Sequence, residues 1–174
     1  MEQAGLIVAS VSLLFWVGVL ILRGGFWRAD QRLTDSTPDL NPWPGVVCVI
    51  PARNEAPTIG GTVKSLLEQD YPGPVSVIVV DDNSDDGTAQ VANAAATKGL
   101  SVVTGKPLAD GWSGKLWAVK QGLDAAEEID ADAAYVLLTD ADITHDSESL
   151  RRLVAKAEVD GLNLVSLMVR LRCE

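Results

Sequence analysis

The chain has 174 residues, enough for one domain with a sizeable core. Hydrophobic residues make up 47% of it, which is too large a share for an intrinsically disordered chain. The formal net charge of −10 argues against nucleic acid as a partner, because phosphate backbones bind basic surfaces. The chain has two cysteines, which are too few for a disulfide framework.

The first predicted element is an apolar helix. Gln3 to Leu22 contains no charged residue, and a helix of that length spans roughly 30 Å, about one hydrocarbon core. A cleaved signal peptide is the alternative, but it would begin with basic residues, whereas here the basic residues follow, at Arg23, Arg28 and Arg32. We therefore expect an uncleaved single-pass membrane anchor over residues 1–23, a linker over 24–44, and a cytoplasmic globular part over 45–174.

Strands and helices are predicted to alternate from Gly45 onwards. Apolar runs rich in valine and isoleucine predict buried strands over 46–50, 75–80, 100–103 and 133–139, and a fifth over 162–171. The segments between them place apolar residues on one helical face, as at Ile59, Val63 and Leu66. This alternation predicts an α/β fold, in which helices cover both faces of a parallel sheet.

Acidic residues follow the strand that begins at Tyr135. Asp140 and Asp142 stand two positions apart just after this strand, and polar segments 51–55 and 81–84 follow two other strands. Ligands of open α/β sheets bind outside the carboxyl ends of the strands, so a site is expected at this edge. Two carboxylates on one turn can face a single hard cation, which prefers oxygen ligands. The alternative interpretation is a polar turn that binds nothing.

Two common nucleotide-binding motifs are not found. A Rossmann fingerprint needs Gly-x-Gly-x-x-Gly after a strand, but the loop from Pro51 to Glu55 contains no glycine. A P-loop needs Gly-x-x-x-x-Gly-Lys-Ser/Thr, but Gly114-Lys115 is followed by Leu116, and position 109 is alanine. Any nucleotide site in this chain must therefore be of another kind.

Four motifs resemble those of the family 2 glycosyltransferases, and they occur in that family's order. They are Ile50-Pro-Ala-Arg-Asn-Glu55, Val79-Val-Asp-Asp-Asn-Ser-Asp-Asp-Gly-Thr88, Gly114-Lys115 and Thr139-Asp-Ala-Asp142. The resemblance covers Val46 to about Leu171. It implies a GT-A fold, which is a nucleotide-binding α/β domain, and a nucleotide-sugar donor, in this family usually a UDP-sugar.

The resemblance also implies roles for individual residues. The donor site would be formed by Pro51, Ala52, Arg53, Glu55, Asp81, Asp82, Lys115, Asp140 and Ala141. Asp82 would accept a hydrogen bond from a base N–H, Glu55 would meet the ribose, and Lys115 would face the phosphates. Asp140 and Asp142 match the Asp-x-Asp motif that positions Mg²⁺ or Mn²⁺ on the diphosphate.

Two of these residues, Asp81 and Arg53, have alternative roles, and the nearby His145 has two possible ones. Asp81 could bond to the backbone of its own turn instead of the donor. Arg53 could form a surface ion pair instead of facing a phosphate. His145 could be a third metal ligand or a neighbour of the N-cap of the helix near Asp146.

Three segments, 111–118, 137–145 and 164–174, resemble more closely the hopene-associated, membrane-bound glycosyltransferases of bacteria. This resemblance implies inverting sugar transfer to a lipid or membrane-associated acceptor at the bacterial inner membrane, with a hopanoid-related acceptor as its narrowest form. The family's catalytic base lies beyond the Asp-x-Asp strand, and none is identified before Glu174, so we expect the donor-binding half of an enzyme. The alternatives are a non-catalytic nucleotide-sugar-binding fragment and a nucleotidyltransferase, although the latter would carry a glycine-rich phosphate loop after the first strand.

Overall fold

The computed structural model of this chain describes residues 2–23, 32–33, 38 and 40–169. Helix α1 (Glu2–Leu22) belongs to an N-terminal unit that is separate from the unit beginning at Asp35. Its segment Gln3–Leu22 has a mean hydropathy of 2.6 and is long and apolar enough to cross a membrane. A signal sequence would meet the same criterion, so the membrane anchor stays a prediction. Most of the predicted linker, with Arg28, lies outside the described residues.

A four-stranded parallel sheet forms the centre of the globular part. The strands are β1 (Val46–Ala52), β2 (Val75–Asp81), β3 (Leu100–Thr104) and β4 (Tyr135–Leu138). Their order in the sheet is β3-β2-β1-β4. In register, β1 pairs with β2 from Val46↔Val75 to Ala52↔Asp81 and with β4 from Val46↔Tyr135 to Val49↔Leu138. Because β1 has neighbours on both sides and helices on both faces, its residues form a continuous apolar run.

Four helices cover the two faces of this sheet, as the sequence predicts. They are α2 (Ile59–Leu67), α3 (Thr88–Ala95), α4 (Gly114–Ile129) and α5 (Ser149–Asp160). On one face, apolar side chains of α2, α3 and α5 pack against alternate residues of β1 such as Cys48 and Ile50. On the other face, Ala118 and Ala126 of α4 pack against Val47 and Val49. The predicted α/β fold class is therefore confirmed.

Helix α4 lies unusually close to the sheet at Gly122. A Cβ atom added at Gly122 would lie 2.3 Å from Val49 Cγ1 and 3.0 Å from Val80 Cγ2, so no larger residue fits without movement of the strands or of the helix. Non-bonded carbon atoms in proteins do not approach one another this closely, because interiors are close-packed but without overlap. This close approach sets the distance between α4 and the sheet. It therefore also helps to position Lys115, which lies two turns earlier on the same helix.

Several predicted element boundaries differ from the structure. Strands β1 and β2 run to Ala52 and Asp81, so these residues belong to strands and not to loops. The predicted fifth strand is wrong over 162–169, where the described backbone pairs with no strand. An apolar run becomes a strand only where its backbone pairs with a sheet. Here Leu162 follows Gly161, which ends α5 in an αL conformation. Residues 162–165 then line a small apolar groove together with β4 and α5. Residues 170 and 171 lie outside the described part.

Candidate functional site

A cleft of about 320 Å³ lies at the carboxyl ends of β1, β2 and β4, where the amino end of α4 closes one side. It is lined by Pro51, Ala52, Arg53, Glu55, Asp82, Gly114, Lys115, Ala118, Asp140, Ala141 and Asp142. The structure thus brings together all but one of the residues predicted to contact a donor, and both residues predicted to hold a metal. Gly114, of the Gly114-Lys115 motif, and Ala118 also line the cleft, although the sequence analysis assigned neither of them a donor contact.

Asp81 is the predicted site residue that does not line the cleft. It ends β2 and is buried, and its Oδ1 accepts a hydrogen bond from the backbone N–H of Ser84 at 3.2 Å. Its carbonyl oxygen accepts from the N–H groups of Asn83 and Gly105, both at 2.8 Å. This position favours the alternative in which Asp81 holds its own turn in place, rather than a contact with a donor.

Asp82, the next residue, faces the cleft from a sheltered position. Its carboxylate is only 14% exposed and pairs with Nη1 of Arg53 at 3.5 Å. Its backbone N–H donates to the carbonyl of Ala52 at 2.8 Å, and a Cβ atom at Gly114 would lie 3.3 Å from Asp82 Oδ2. The amino end of α4 therefore approaches this carboxylate closely. Arg53 forms the ion pair and also lines the cleft, so its two predicted roles are compatible.

The loops that follow β1 and β2 are joined by four hydrogen bonds between backbone N–H groups and side chains, which we call the cross-loop network. The bonds run from Asn54 N–H to Ser84 Oγ (2.9 Å), from Asp85 N–H to Asn54 Oδ1 (3.0 Å), from Glu55 N–H to Thr88 Oγ1 (2.8 Å) and from Ala56 N–H to Asp86 Oδ2 (3.0 Å). Asn54 has a φ of 57°, a left-handed conformation that asparagine tolerates better than most residues. The network holds the segment that carries Arg53 and Glu55. Sequence reasoning missed it because its bonds join residues about 30 positions apart.

Within this network, Asp86 is held in its ionised form. The hydroxyl group of Thr88 and then the N–H of Ala56 donate hydrogen bonds to its carboxylate, and together they lower the pKa of Asp86 below its usual value of 3.8. The backbone N–H of Thr88, at the start of α3, also donates to Asp86 Oδ1 at 3.0 Å. One carboxylate therefore ties the loop after β1 to the first turn of α3.

Helix α2 anchors the loop that follows β4 through main-chain atoms. Thr62 Oγ1 donates to the carbonyl of Ala141 at 2.7 Å, and the backbone N–H of His145 donates to Ser65 Oγ at 3.1 Å. These contacts fix the backbone around Asp140 and Asp142 and leave both carboxylates exposed on the cleft. Hydrogen bonds thus fix the backbone that carries both acids, and Asp140 also forms an ion pair with Lys115 at 2.7 Å.

His145 lies on the far side of this loop. Its Nε2 is 3.0 Å from Thr139 Oγ1, and burial lowers the pKa of its imidazole, against an opposing effect of the nearby Asp146 carboxylate. It is not among the cleft residues, and α5 begins only at Ser149, with Glu148 as its N-cap. The position of His145 thus favours a structural role in the loop over either of the two roles left open.

The carboxylates of the cleft suit a cation that arrives together with a phosphate group. In the described residues, no three His, Cys, Asp or Glu side chains are grouped to hold a metal by themselves. Asp140 and Asp142 supply two carboxylates on one cleft, and Mg²⁺ is commonly bound by one or two carboxylates together with substrate phosphates and water. These two residues fit Mg²⁺ or Mn²⁺ in such a shared site.

Comparison with known families gives one extended match. The profile of "Glycosyl transferase family 2" matches residues 47–173, well over half of the chain. Among curated proteins, a 4,4'-diaponeurosporenoate glycosyltransferase of Staphylococcus aureus is 39% identical over 94 residues, and an N-acetylglucosaminyltransferase of Rhizobium leguminosarum bv. viciae is 33% identical over 94. Each alignment covers 51% of this chain, but only 24% and 22% of those relatives.

Solved structures give the same family of folds. The mannosyltransferase PcManGT from Pyrobaculum calidifontis, in complex with GDP-Man and Mn²⁺, is 27% identical with a TM-score of 0.62, over 86% of this chain and 42% of that one. Glucosyl-3-phosphoglycerate synthase from Mycobacterium tuberculosis, in complex with Mn²⁺, UDP and glucosyl-3-phosphoglycerate, is 27% identical with a TM-score of 0.51, over 65% of this chain and 39% of that one. The GT-A fold implied by the sequence motifs is therefore confirmed, and this chain spans less than half of either structure.

Proposed function

We propose, because this chain belongs to glycosyltransferase family 2, that it takes part in sugar transfer from a nucleoside diphosphate sugar to an acceptor hydroxyl. One observation carries the proposal. Residues from four separate motifs, at 51–55, 82, 114–115 and 140–142, line a single cleft at the carboxyl ends of three parallel strands. That is where open α/β sheets bind their ligands.

The two sides of the cleft suit the two parts of such a donor. Asp82, sheltered from water, would accept a hydrogen bond from a base N–H, and Glu55 would meet the ribose. Lys115, Asp140 and Asp142 are exposed and charged, which suits the diphosphate and a cation bound to it. A carboxylate only accepts hydrogen bonds, so Asp82 can pair with the ring N–H of a base such as uracil or guanine. We propose UDP as the nucleotide, as the family resemblance implies.

The proposed cofactor is Mg²⁺ or Mn²⁺, held by Asp140 and Asp142. When bound, such an ion supplies Lewis-acid stabilisation of the negative charge on the leaving diphosphate. The Mn²⁺ in the complexes of both solved relatives supports a divalent ion as the cofactor. Lys115 would add a second positive charge beside the phosphates.

The proposed reaction is an inverting displacement. The acceptor oxygen attacks the anomeric carbon while the bond from that carbon to the diphosphate breaks, and the electron pair of this bond leaves with the diphosphate. A carboxylate base takes the hydroxyl proton as the new bond forms. We assign this base to none of the described residues.

We further propose a lipid or membrane-associated acceptor. An α1 helix inserted in the bacterial inner membrane would keep the cytoplasmic cleft close to lipid acceptors. A hopanoid-related acceptor is the narrowest form of this proposal and rests on the sequence resemblance alone. The test is transfer from a labelled UDP-sugar into membrane lipids with and without hopanoids; label found only in soluble sugars would contradict it.

The donor proposal is tested by calorimetry on the full chain in detergent. We expect UDP to bind more tightly with Mn²⁺ than with a chelator, and CDP, which lacks the ring N–H, to bind more weakly than UDP or GDP. Equal UDP affinity with metal and with chelator would contradict the metal proposal, and no binding of any nucleotide would contradict the donor proposal. Formation of UDP-sugar from UTP and a sugar phosphate would instead favour a nucleotidyltransferase.

The membrane proposal has a separate test. We expect the chain to fractionate with membranes, and an impermeant amine reagent to label the exposed Lys64 and Lys98 only after cell lysis. Recovery of a shortened, soluble species from the periplasm would mean that the apolar helix is a signal peptide.

A further inference from the structure

Lys115 contacts one of the two carboxylates that we propose as metal ligands. It lies in the first turn of α4, and its Nζ is 2.7 Å from Asp140 Oδ1. Both side chains are more than half exposed, at 64% and 54%. The ammonium group therefore neutralises one of the two carboxylates that we propose as metal ligands.

The other charges of the cleft make this pairing consequential. The lining includes four carboxylates and two basic side chains, a formal charge of −2. The second basic group, Arg53, is paired with Asp82. A diphosphate entering the cleft would thus meet a negative surface unless positive charge is added or rearranged.

The pair of Lys115 and Asp140 can separate at little cost. Exposed ion pairs contribute little to stability, because water and salt screen them. The lysine ammonium sits on a flexible four-carbon stem, so it can turn from one anion to another while its backbone stays in place. The close approach of α4 to the sheet at Gly122 favours such a movement of the side chain over a shift of the helix.

We propose that Lys115 is an exchangeable cation, which occupies Asp140 until a divalent metal takes that carboxylate and then moves to the nucleotide phosphates. This inference rests on the proposed function, because it assumes that metal and diphosphate share the cleft. Lys115 then acts twice: it competes with the metal for Asp140, and it attracts the phosphate. Metal and nucleotide each release the same ion pair, so binding of one facilitates binding of the other, and by linkage the effect is reciprocal.

The proposal predicts effects of opposite sign in one variant. In Lys115→Met, Mn²⁺ without nucleotide binds roughly 2- to 5-fold more tightly, because its competitor at Asp140 is gone; this is the size expected for an exposed ion pair. UDP in the presence of saturating Mn²⁺ binds more weakly, because a phosphate partner is gone. A residue that only supports the structure of the cleft would weaken both ligands.

Lys120→Met is the matched control. It removes the same charge from the same helix, and Lys120 pairs with Asp124 at 2.6 Å outside the cleft. The full chain in detergent is titrated with Mn²⁺ alone, with free Mn²⁺ measured by electron paramagnetic resonance, and circular dichroism checks that each variant is folded. We expect the tighter Mn²⁺ binding in Lys115→Met and not in Lys120→Met.

Three outcomes would overturn the proposal: unchanged or weaker Mn²⁺ binding in Lys115→Met, equal tightening in Lys120→Met, or no Mn²⁺ binding by any of the proteins. Lys115→Arg keeps the charge and should resemble the wild type in the metal titration; tightening like that of Lys115→Met would also count against exchange. The metal titration uses no nucleotide. Failure of UDP to bind would therefore contradict the proposed function, while the Mn²⁺ result would separately decide the competition at Asp140.

Discussion

The two sides of the cleft are built differently. On the side formed by the loops after β1 and β2, side chains are hydrogen-bonded to the opposite loop, as Thr88 Oγ1 is to the N–H of Glu55. On the side formed by α4 and the loop after β4, hydrogen bonds anchor the backbone, while the charged side chains of Lys115, Asp140 and Asp142 are exposed and Lys115 and Asp140 form an exposed ion pair. We call these the bonded side and the charged side.

This difference suggests a division of work. A surface that is already ordered loses little conformational entropy when it binds, which suits the recognition of a rigid base and ribose. Exposed charges with weak partners can change partners at little cost, which suits a diphosphate and a cation that bind together. The bonded side would then contribute selectivity, and the charged side the response to metal.

The largest expected effect comes from breaking the charged side alone. In Asp142→Asn, we expect the metal-linked part of UDP affinity to fall by roughly 1–3 kcal/mol, the scale of losing a charged partner. The free energy of unfolding should change by less than about 0.5 kcal/mol, because the side chain is exposed. Calorimetry with Mn²⁺ and with a chelator measures the first quantity, and urea unfolding the second.

Asp132→Asn is the matched control for this prediction. It removes one exposed carboxylate at the amino end of β4, away from the cleft. An equal loss of affinity in both variants, or a loss in Asp142→Asn that persists with chelator, would contradict a metal role for Asp142.

A smaller effect is expected from breaking the bonded side. Thr88→Val keeps the shape of the buried side chain but leaves the N–H of Glu55 without its acceptor and Asp86 without its hydroxyl donor. We expect the free energy of unfolding to fall by about 1–2 kcal/mol, the cost of a partly buried group left unpaired. UDP should also bind more weakly with chelator present, because the loop with Glu55 loosens.

Urea unfolding followed by tryptophan fluorescence measures this loss of stability. Thr97→Val, at an exposed position after α3, is the control for the same chemical change. If Thr88→Val matched this control in both stability and nucleotide affinity, the cross-loop network would not be what holds the bonded side.

The smallest effect concerns pH. Hydrogen bonds lower the folded-state pKa of Asp86 below its unfolded value of 3.8. Its contribution to stability is therefore fully present above the unfolded pKa, and it is lost as the pH falls from there through the lowered pKa. Asp86→Asn cannot titrate, so the stability difference between wild type and variant should shrink as the pH falls below 3.8.

This prediction is checked by urea midpoints of both proteins at pH 7 and pH 3. Other carboxylates titrate in the same range, but they do so in both proteins, so the difference between them isolates Asp86. A difference that stays constant with pH would mean that the ionised form of Asp86 is not preferred in the folded chain.

The sequence predicts the charged side better than the bonded side. Asp140 and Asp142 stand next to an apolar strand in a local pattern, and their place at the sheet edge follows from the strand itself. The bonds from Asn54 to Ser84 and Asp85 depend on two loops that meet only after β1 and β2 have paired. No local pattern contains that information.

The same reasoning explains the two boundary errors that matter most. Pairing with Ala52 extends β2 to Asp81 and turns the Asp81 carboxylate toward Ser84, away from the cleft. The apolar composition of 162–169 is typical of a strand, yet a strand forms only by backbone pairing, and 162–165 lie beside β4 and α5 without pairing with the sheet. Long-range pairing decided both cases.

The register between β1 and β2 has a consequence for folding. Ala52 opposite Asp81 is the last pair of this ladder, and the cross-loop network begins shortly after it, with the hydrogen bond between Asn54 and Ser84. A slip of one residue would turn the side chains of one strand to the opposite face and separate the donors of the network from their acceptors. Parallel strands pair slowly because their contacts are distant in sequence. A nucleotide added during refolding would therefore report correct register, because chains with slipped strands could regain their secondary structure without regaining affinity.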